Sequence, residues 1–136
     1  MFPLMPVTVT IRDETAGGRI LTELPVTLDN ELTTVKDIII ARVMTEVLTY
    51  NEKKPEYFQG LVQPTDAEVT LNGYRLHNRS KPVDADQQCH IALDAFRNNG
   101  YFVLIDDIQP ESLDQIILLN KQSNISFVKL TPLVGG

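Results

Sequence analysis

Apolar side chains recur at helical spacing from residue 35 to residue 50, and this run requires one long helix in the fold. Its members lie three or four residues apart and share one face: Val35, Ile39, Val43, Val47 and Tyr50. Thr34, with Asp37 three residues later, resembles a capping box and places the helix start. Pro55 limits the other end, because the residue before a proline disfavours helix. The pattern predicts a helix over residues 34–50, stabilised by burial because its β-branched residues are mediocre helix formers.

Two stretches before this helix have the two-residue period of strands. Val7, Val9 and Ile11 alternate with polar residues, and residues 20–28 alternate in the same way. Ala16-Gly17-Gly18 between them is turn material, so the two strands form a hairpin. Pro25 cannot donate a hydrogen bond to a neighbouring strand, which predicts an edge or a bulge for the second strand.

The segment after the helix carries two weaker signals. Asn72-Gly73 is a two-residue turn signal and predicts a short hairpin, with Val69, Leu71 and residues 74–76 in its strands. Residues 84–97 favour a second helix that stops at Asn98-Asn99-Gly100, because one apolar stripe contains Ala85, Cys89, Ala92, Leu93 and Phe96. An alternative pairs residues 90–97 with 101–105 as a hairpin, and the sequence leaves both interpretations open.

The last third of the chain predicts two more strands. Residues 101–105 are continuously apolar, as in a strand buried on both faces. A turn around Ser112-Leu113-Asp114 follows, then one helical turn over residues 113–119 and a last strand over 125–130. The expected core residues are Ile39, Val43, Val47, Val103, Ile105, Ile125 and Phe127. The element order predicts an α+β domain, a sheet with one long helix across it.

Composition and charge argue against several classes of protein. Hydrophobic residues make up 43% of the chain and charged residues 22%, as in folded globular domains. The net charge of -6 repels phosphate, so no nucleic-acid partner is expected, and no apolar run approaches the roughly 18 residues of a membrane span, so no membrane partner is expected. Residues 1–6 lack the features of a secretory signal, and one cysteine allows no internal disulfide; we therefore expect a cytoplasmic location.

Residues that could carry chemistry occur singly rather than in constellations. Cys89 and His90 would point about 100° apart on a helix, so Cys89 is interpreted as a core residue rather than a nucleophile. His77 and His90 have no zinc-motif spacing and are expected on the surface. Asp106-Asp107 and Gly17-Gly18 are interpreted as turns. The sequence therefore predicts no catalytic residue, no metal site and no cofactor, and we do not expect an enzyme.

The order of hairpin, long helix, buried strand, turn, last strand and tail resembles that of ubiquitin-like (β-grasp) proteins. The likeness is strongest over residues 101–136, and Thr34-Val35-Lys36 looks like the start of the ubiquitin helix. The ending Pro132-Leu133-Val134-Gly135-Gly136 is similar to that of bacterial ubiquitin-like modifiers that end in Pro-Leu-Val-Gly-Gly. The resemblance implies one ubiquitin-like domain over residues 1–130, with an insertion at about 52–98, and an exposed tail over 131–136. It also implies that residues 7–28 and 101–105 share a sheet with 125–130.

The resemblance implies a protein modifier as the function. An ATP-dependent activating enzyme would adenylate the carboxylate of Gly136, a conjugating enzyme would pass it to amines of target proteins, and an isopeptidase would cleave the isopeptide bond. Gly135 and Gly136 suit narrow enzyme channels, because glycine lacks a Cβ. Pro132, Leu133 and Val134 would form the segment that the enzymes recognise. Bacterial antiviral defence is a context suggested by analogy alone.

Two alternative functions stay open at the level of the sequence. The chain could be a β-grasp sulfur carrier whose terminus becomes a thiocarboxylate, or a β-grasp binding module that is never conjugated. Sulfur carriers usually lack a large insertion, which favours the modifier. Nothing in the sequence ranks the lysines that could accept further copies, namely Lys36, Lys53, Lys54, Lys81, Lys121 and Lys129.

Overall fold

The computed structural model describes residues 5–130, which form eight strands and two helices. In chain order these are β1 Val7–Thr15, β2 Ile20–Leu28, β3 Leu32–Thr34, α1 Val35–Lys53, β4 Ala67–Thr70, β5 Gly73–Leu76, α2 Ala85–Arg97, β6 Tyr101–Ile105, β7 Ile116–Leu118 and β8 Ile125–Lys129. The described chain is therefore mixed α+β, as the sequence predicts. Neither described helix combines the length and the apolar character needed to cross a membrane.

The main sheet of the described chain has four strands in the order β2-β1-β8-β6. β1 pairs antiparallel with β2 in the N-terminal hairpin and parallel with β8, and β8 pairs antiparallel with β6. These pairings confirm that residues 7–28 and 101–105 share one sheet with the last strand. Pro25 lies in the edge strand β2, where the missing N–H is tolerated.

Helix α1 packs on the sheet face that carries Val9, Ile11 and Phe127. The Thr34 hydroxyl accepts a hydrogen bond from the Asp37 N–H at 3.2 Å, which confirms the predicted cap. The helix continues to Lys53, three residues beyond the predicted end, and the N–H of Lys54 then donates to the Tyr50 carbonyl at 2.7 Å. All seven residues expected in the core are buried.

The segment between the two helices shares the same core instead of building its own. Phe58, Leu61 and Val62 are buried in the cluster that includes the sheet and α1. Strands β4 and β5 form the predicted hairpin, but Thr70 pairs with Gly73, so the two loop residues are Leu71 and Asn72. Gly73 is the first residue of β5 and has a positive φ of 125°, a backbone conformation that favours glycine. Leu71, predicted in a strand, is therefore in the loop.

Helix α2 confirms the helical interpretation of residues 84–97 and shows that the alternative hairpin is wrong. The Asp84 carboxylate accepts a hydrogen bond from the Gln87 N–H at 3.1 Å and caps the helix. Asn99 has a φ of 57°, and the N–H of Gly100 donates to the Ala95 carbonyl at 2.7 Å, so the helix stops where predicted.

The predicted helical turn over residues 113–119 is wrong. The turn around Ser112-Leu113-Asp114 is present, but Ile116–Leu118 then forms β7, which pairs antiparallel with β3. Ile116 and Ile117 are β-branched and favour an extended backbone when a partner strand is available. That partner is more than 80 residues earlier in the chain, from Leu32 to Leu118 at one end of the ladder. Local sequence therefore could not show it.

Candidate functional site at the end of the last strand

Strand β8 lies inside the sheet, between β1 and β6, and leads directly into the C-terminal tail. The predicted recognition and conjugation residues lie outside the described residues: Pro132, Leu133, Val134, Gly135 and Gly136. The structure does describe the point from which they extend. We use the name tail base for Lys129 together with three charged residues beneath it, Asp13, Arg42 and Glu46.

Lys129 joins the end of β8 to two other parts of the chain. Its ammonium donates to the Gly60 carbonyl, at 3.1 Å, in the segment between the helices. The same group lies 3.4 Å from a carboxylate oxygen of Asp13 on β1. The end of β8 is therefore held by β1 on one side and by the predicted insertion on the other.

Beneath Lys129, Asp13 and Arg42 form a buried bidentate ion pair. Both guanidinium NH groups donate to the carboxylate, Nη2 to Oδ2 at 2.6 Å, and the two side chains are 2% and 1% exposed. Thr22 adds a hydrogen bond to the carboxylate at 3.2 Å. Burial alone would raise the pKa of Asp13, but hydrogen bonding and charge from Arg42, together with the charge of Lys129 and the Thr22 hydrogen bond, hold that pKa below its ordinary value.

Glu46 completes the tail base from the next turn of α1. One carboxylate oxygen lies 3.4 Å from Nε of Arg42, and the other accepts the Leu61 N–H at 2.9 Å. Burial raises the pKa of Glu46, and the charge of Arg42 and the Leu61 N–H offset only part of that rise. The Arg42 guanidinium also lies over the ring of Phe127 on β8, 4.6 Å from its centroid.

The tail base has a structural role, because it fixes the end of β8, from which the tail extends. Its charged groups bond one another and the backbone of residues 60 and 61, so they connect β1, α1, β8 and the segment between the helices. Lys129 is thereby disfavoured as an acceptor lysine, since its ammonium is engaged. Lys36, Lys53, Lys54, Lys81 and Lys121 are exposed.

The other residues singled out in the sequence occupy ordinary positions. Cys89 is half-buried against the core, and burial raises the pKa of its thiol, which opposes thiolate formation. His77 and His90 lie on the surface as predicted. Asp106-Asp107 and Gly17-Gly18 are turns as predicted. Within residues 5–130, no three His, Cys, Asp or Glu side chains are grouped so that they could hold a metal ion.

The tail base was not predicted from the sequence, although the sequence contains a signal for it. Asp13 and Lys129 take the inward positions of their strands, after Ile11 and after Phe127 respectively. Arg42 and Glu46, at i and i+4, lie on the buried face of α1. Charged residues at positions where the strand and helix periods require apolar ones indicate a buried ion cluster.

Comparison of the chain with protein-family models, with curated proteins and with solved structures gave no match.

Proposed function

We propose that this chain is a ubiquitin-like protein modifier with a β-grasp fold and an insertion at about residues 52–98. In this proposal an activating enzyme adenylates the carboxylate of Gly136, and the chain is then transferred to amines of target proteins. The activating enzyme, a conjugating enzyme and an isopeptidase would be its protein partners. The modifier itself would supply a substrate group and no catalytic residue.

The arrangement of the sheet supports the β-grasp assignment. The fold requires an N-terminal hairpin, a helix packed on the sheet, and a last strand that pairs with the hairpin. In the described chain β1 pairs with both β2 and β8, and α1 packs on their shared face. Residues 54–84 lie outside this sheet, as an insertion would.

The observation that carries the proposed function is the connection between β8 and the Gly-Gly ending. β8 is an interior strand, and Lys129 fixes its final residue to Asp13 and Gly60. Six residues follow Leu130, and the last two are Gly135 and Gly136. These two glycines have no side chain that could obstruct an enzyme channel. A fixed base followed by a short, unhindered end suits a terminus that must be presented to an enzyme.

The proposed chemistry takes place at the terminal carboxylate. A carboxylate oxygen attacks the α-phosphorus of ATP, pyrophosphate leaves, and an acyl adenylate forms. A thiolate of the enzyme then attacks the acyl carbon and releases AMP, which leaves a thioester. The neutral amine of a target lysine attacks that carbon, the thiolate leaves, and the amine proton passes to a base, giving an isopeptide bond.

Mass spectrometry of tryptic digests from the native host tests the proposal directly. Trypsin cuts after Lys129, so a conjugated lysine would carry the branch Leu-Thr-Pro-Leu-Val-Gly-Gly. We expect branched peptides in cells that express the full chain and none in matched cells that express a chain lacking Gly135 and Gly136. If branched peptides are missing while a thiocarboxylate terminus is found, the chain is a sulfur carrier. If neither is found, the binding module replaces the modifier.

A further inference from the structure

The β4–β5 hairpin, the segment before it and Lys129 line a groove of about 270 Å³ on the surface. Val69 and Tyr74 line it from the hairpin, Phe58 and Gly60 from the preceding segment, and Lys129 from the end of β8. The groove therefore lies beside the residue from which the tail departs. Its walls come from the predicted insertion and from the main sheet together.

The hairpin presents apolar side chains next to this groove. Val69 is 56% exposed, and Leu71 at the loop is fully exposed. Two-residue hairpin loops are usually built from Gly, Asn, Asp or Ser, because these residues adopt the required backbone angles. The first loop position here is leucine, which that turn chemistry does not call for. Leu71 is thus a large apolar side chain that the turn does not require and that the rest of the described chain leaves uncovered.

The loop is held in one arrangement by hydrogen bonds from both sides. Inside the loop, the Thr70 hydroxyl donates to the Gly73 carbonyl at 2.7 Å and accepts the Asn72 N–H at 3.1 Å. From outside, the side-chain amide of Gln59 donates to the Asn72 carbonyl. Leu71 is therefore displayed by a pre-organised loop, and a partner would bind it with little ordering cost.

The length of the tail limits where an enzyme acting on Gly136 can lie. Seven residues follow Lys129, the last of which is Gly136, so even a fully extended chain spans at most about 25 Å from Lys129 to Gly136. An enzyme that binds Gly136 must therefore lie within about 25 Å of Lys129, and the protein surface around Lys129 is within its reach. The groove and the exposed residues of the hairpin are part of that surface.

We propose that the β4–β5 hairpin is the docking surface for the enzyme that adenylates the tail, with Leu71 and Val69 as the apolar contacts that determine specificity. This inference rests on the proposed modifier function. The enzyme's complementary surface is an apolar pocket next to the channel that receives the tail. The insertion thereby lets a dedicated activating enzyme select this modifier.

The test uses ATP–pyrophosphate exchange as the readout, with each candidate adenylating enzyme of the native host assayed in turn. Leu71→Asp should raise the KM for the modifier about 10-fold or more and leave kcat nearly unchanged, because docking is lost and the reacting carboxylate is kept. Leu71→Met should keep most of the wild-type KM. The matched control is Leu118→Asp, a residue 69% exposed on β7 in a different sheet, which should leave KM unchanged.

A second measurement separates docking from chemistry. A chain without Gly135 and Gly136 should still bind the enzyme in a direct titration, and adding Leu71→Asp to it should weaken that binding about 10-fold or more. If wild type supports exchange and Leu71→Asp has the wild-type KM, the docking surface is wrong and the modifier function stands. If wild type supports no exchange, the modifier function fails and this inference fails with it.

Discussion

Asp13, Arg42 and Glu46 of the tail base are charged residues in a buried environment, where apolar residues are the rule. Taking a carboxylate and a guanidinium out of water costs several kcal/mol each, and mutual attraction offsets this only with good geometry. Asp13 and Arg42 have that geometry, since two guanidinium NH groups and Thr22 donate to one carboxylate. Glu46 and Lys129 extend the network to the backbone. The buried charges are thus tolerated because each has hydrogen-bond or ion-pair partners. Removing one member should leave its partners buried without compensation and lower the free energy of unfolding.

Arg42→Met should therefore destabilise the domain strongly. It leaves Asp13 and Glu46 buried without their main partner, which typically costs about 3–5 kcal/mol. The matched control is Arg97→Met, because Arg97 pairs at 2.9 Å with Asp94 on the surface and both side chains are more than half exposed. That pair is worth at most about 1 kcal/mol. Urea unfolding measures both, and equal losses at the two sites would contradict the importance of burial.

Glu46 should make stability depend on pH in an unusual direction. Its pKa is raised on folding, so between that value and its ordinary value of about 4.3 the folded chain binds more protons than the unfolded chain. The Glu46 contribution to unfolding free energy therefore increases as pH falls through this window. Glu46→Gln removes the titration and keeps an oxygen for the Leu61 N–H. We expect wild type to gain stability relative to Glu46→Gln as pH falls, in urea unfolding at stepped pH.

Asp13 should make the free energy of unfolding depend on pH in the opposite direction, so it serves as the comparison for Glu46. Its pKa is lowered on folding, so its contribution is present above its ordinary value of about 3.9 and is lost as pH falls through the folded value. The stability advantage of wild type over Asp13→Asn should therefore shrink below about pH 4.

For the Glu46 prediction, a constant difference in unfolding free energy between wild type and Glu46→Gln across the whole pH range would show that Glu46 does not titrate on folding as described.

At the scale of elements, the joint between the predicted insertion and the sheet depends on one glycine. The Gly60 carbonyl accepts a hydrogen bond from the Lys129 ammonium. A Cβ at position 60 would overlap the ring of the buried Phe58. Gly60→Ala should therefore cost about 1–3 kcal/mol through overpacking. Gly17→Ala is the control, because the nearest atom to its Cβ, Thr15 Oγ1, is 3.8 Å away. Thermal unfolding compares the two, and equal melting temperatures would contradict this account of the joint.

Elements with strong local signals were predictable from the sequence. The apolar stripe and the Thr34 cap define α1, the alternation around Ala16-Gly17-Gly18 defines the first hairpin, and Pro25 marks an edge. In each case the cause lies within a few residues of the effect. The pairing of 101–105 with 125–130 also followed, from the resemblance to a known element order.

Elements that depend on distant partners were not predictable in the same way. β3 and β7 are three residues each, and each is a strand only because the other is present. The β4–β5 loop is Leu71-Asn72, one residue earlier than the Asn72-Gly73 signal predicts, and Gly73 is instead the first residue of β5. The tail base needed Arg42, Asp13 and Lys129 to be brought together from three elements. The sequence pattern shows that all three occupy inward-facing positions of their elements, but it does not show that they contact one another.

At the scale of the whole molecule, one core runs through the sheet, both helices and the segment between them. Phe58, Leu61 and Val62 from that segment are buried in the same cluster as Val43 of α1 and Phe127 of β8. The predicted insertion is therefore part of the folding unit rather than an appended module. The described core extends from Val7 to Phe127.

Deletion of Gly135 and Gly136 should separate stability from activity. Neither residue has a side chain to contribute to a core, so the melting temperature should stay within about 1–2 °C of wild type. The deletion moves the reacting carboxylate back by two residues, about 7 Å along an extended chain. A misplacement of about 1 Å already costs roughly 100-fold in rate, so adenylation by the activating enzyme should be abolished.

Gly136→Ala refines the same experiment, because it keeps the carboxylate in place and adds only a Cβ. Its ATP–pyrophosphate exchange should be slower than wild type and faster than that of the deletion, since a narrow channel is obstructed but still reaches the reacting atom. Calorimetry of all three chains provides the stability control. If the deletion exchanges as fast as wild type, the terminus is not the reacting group, and the modifier and sulfur-carrier functions both fail. A stable fold with an unused terminus would then leave the binding module as the function that the chain can serve.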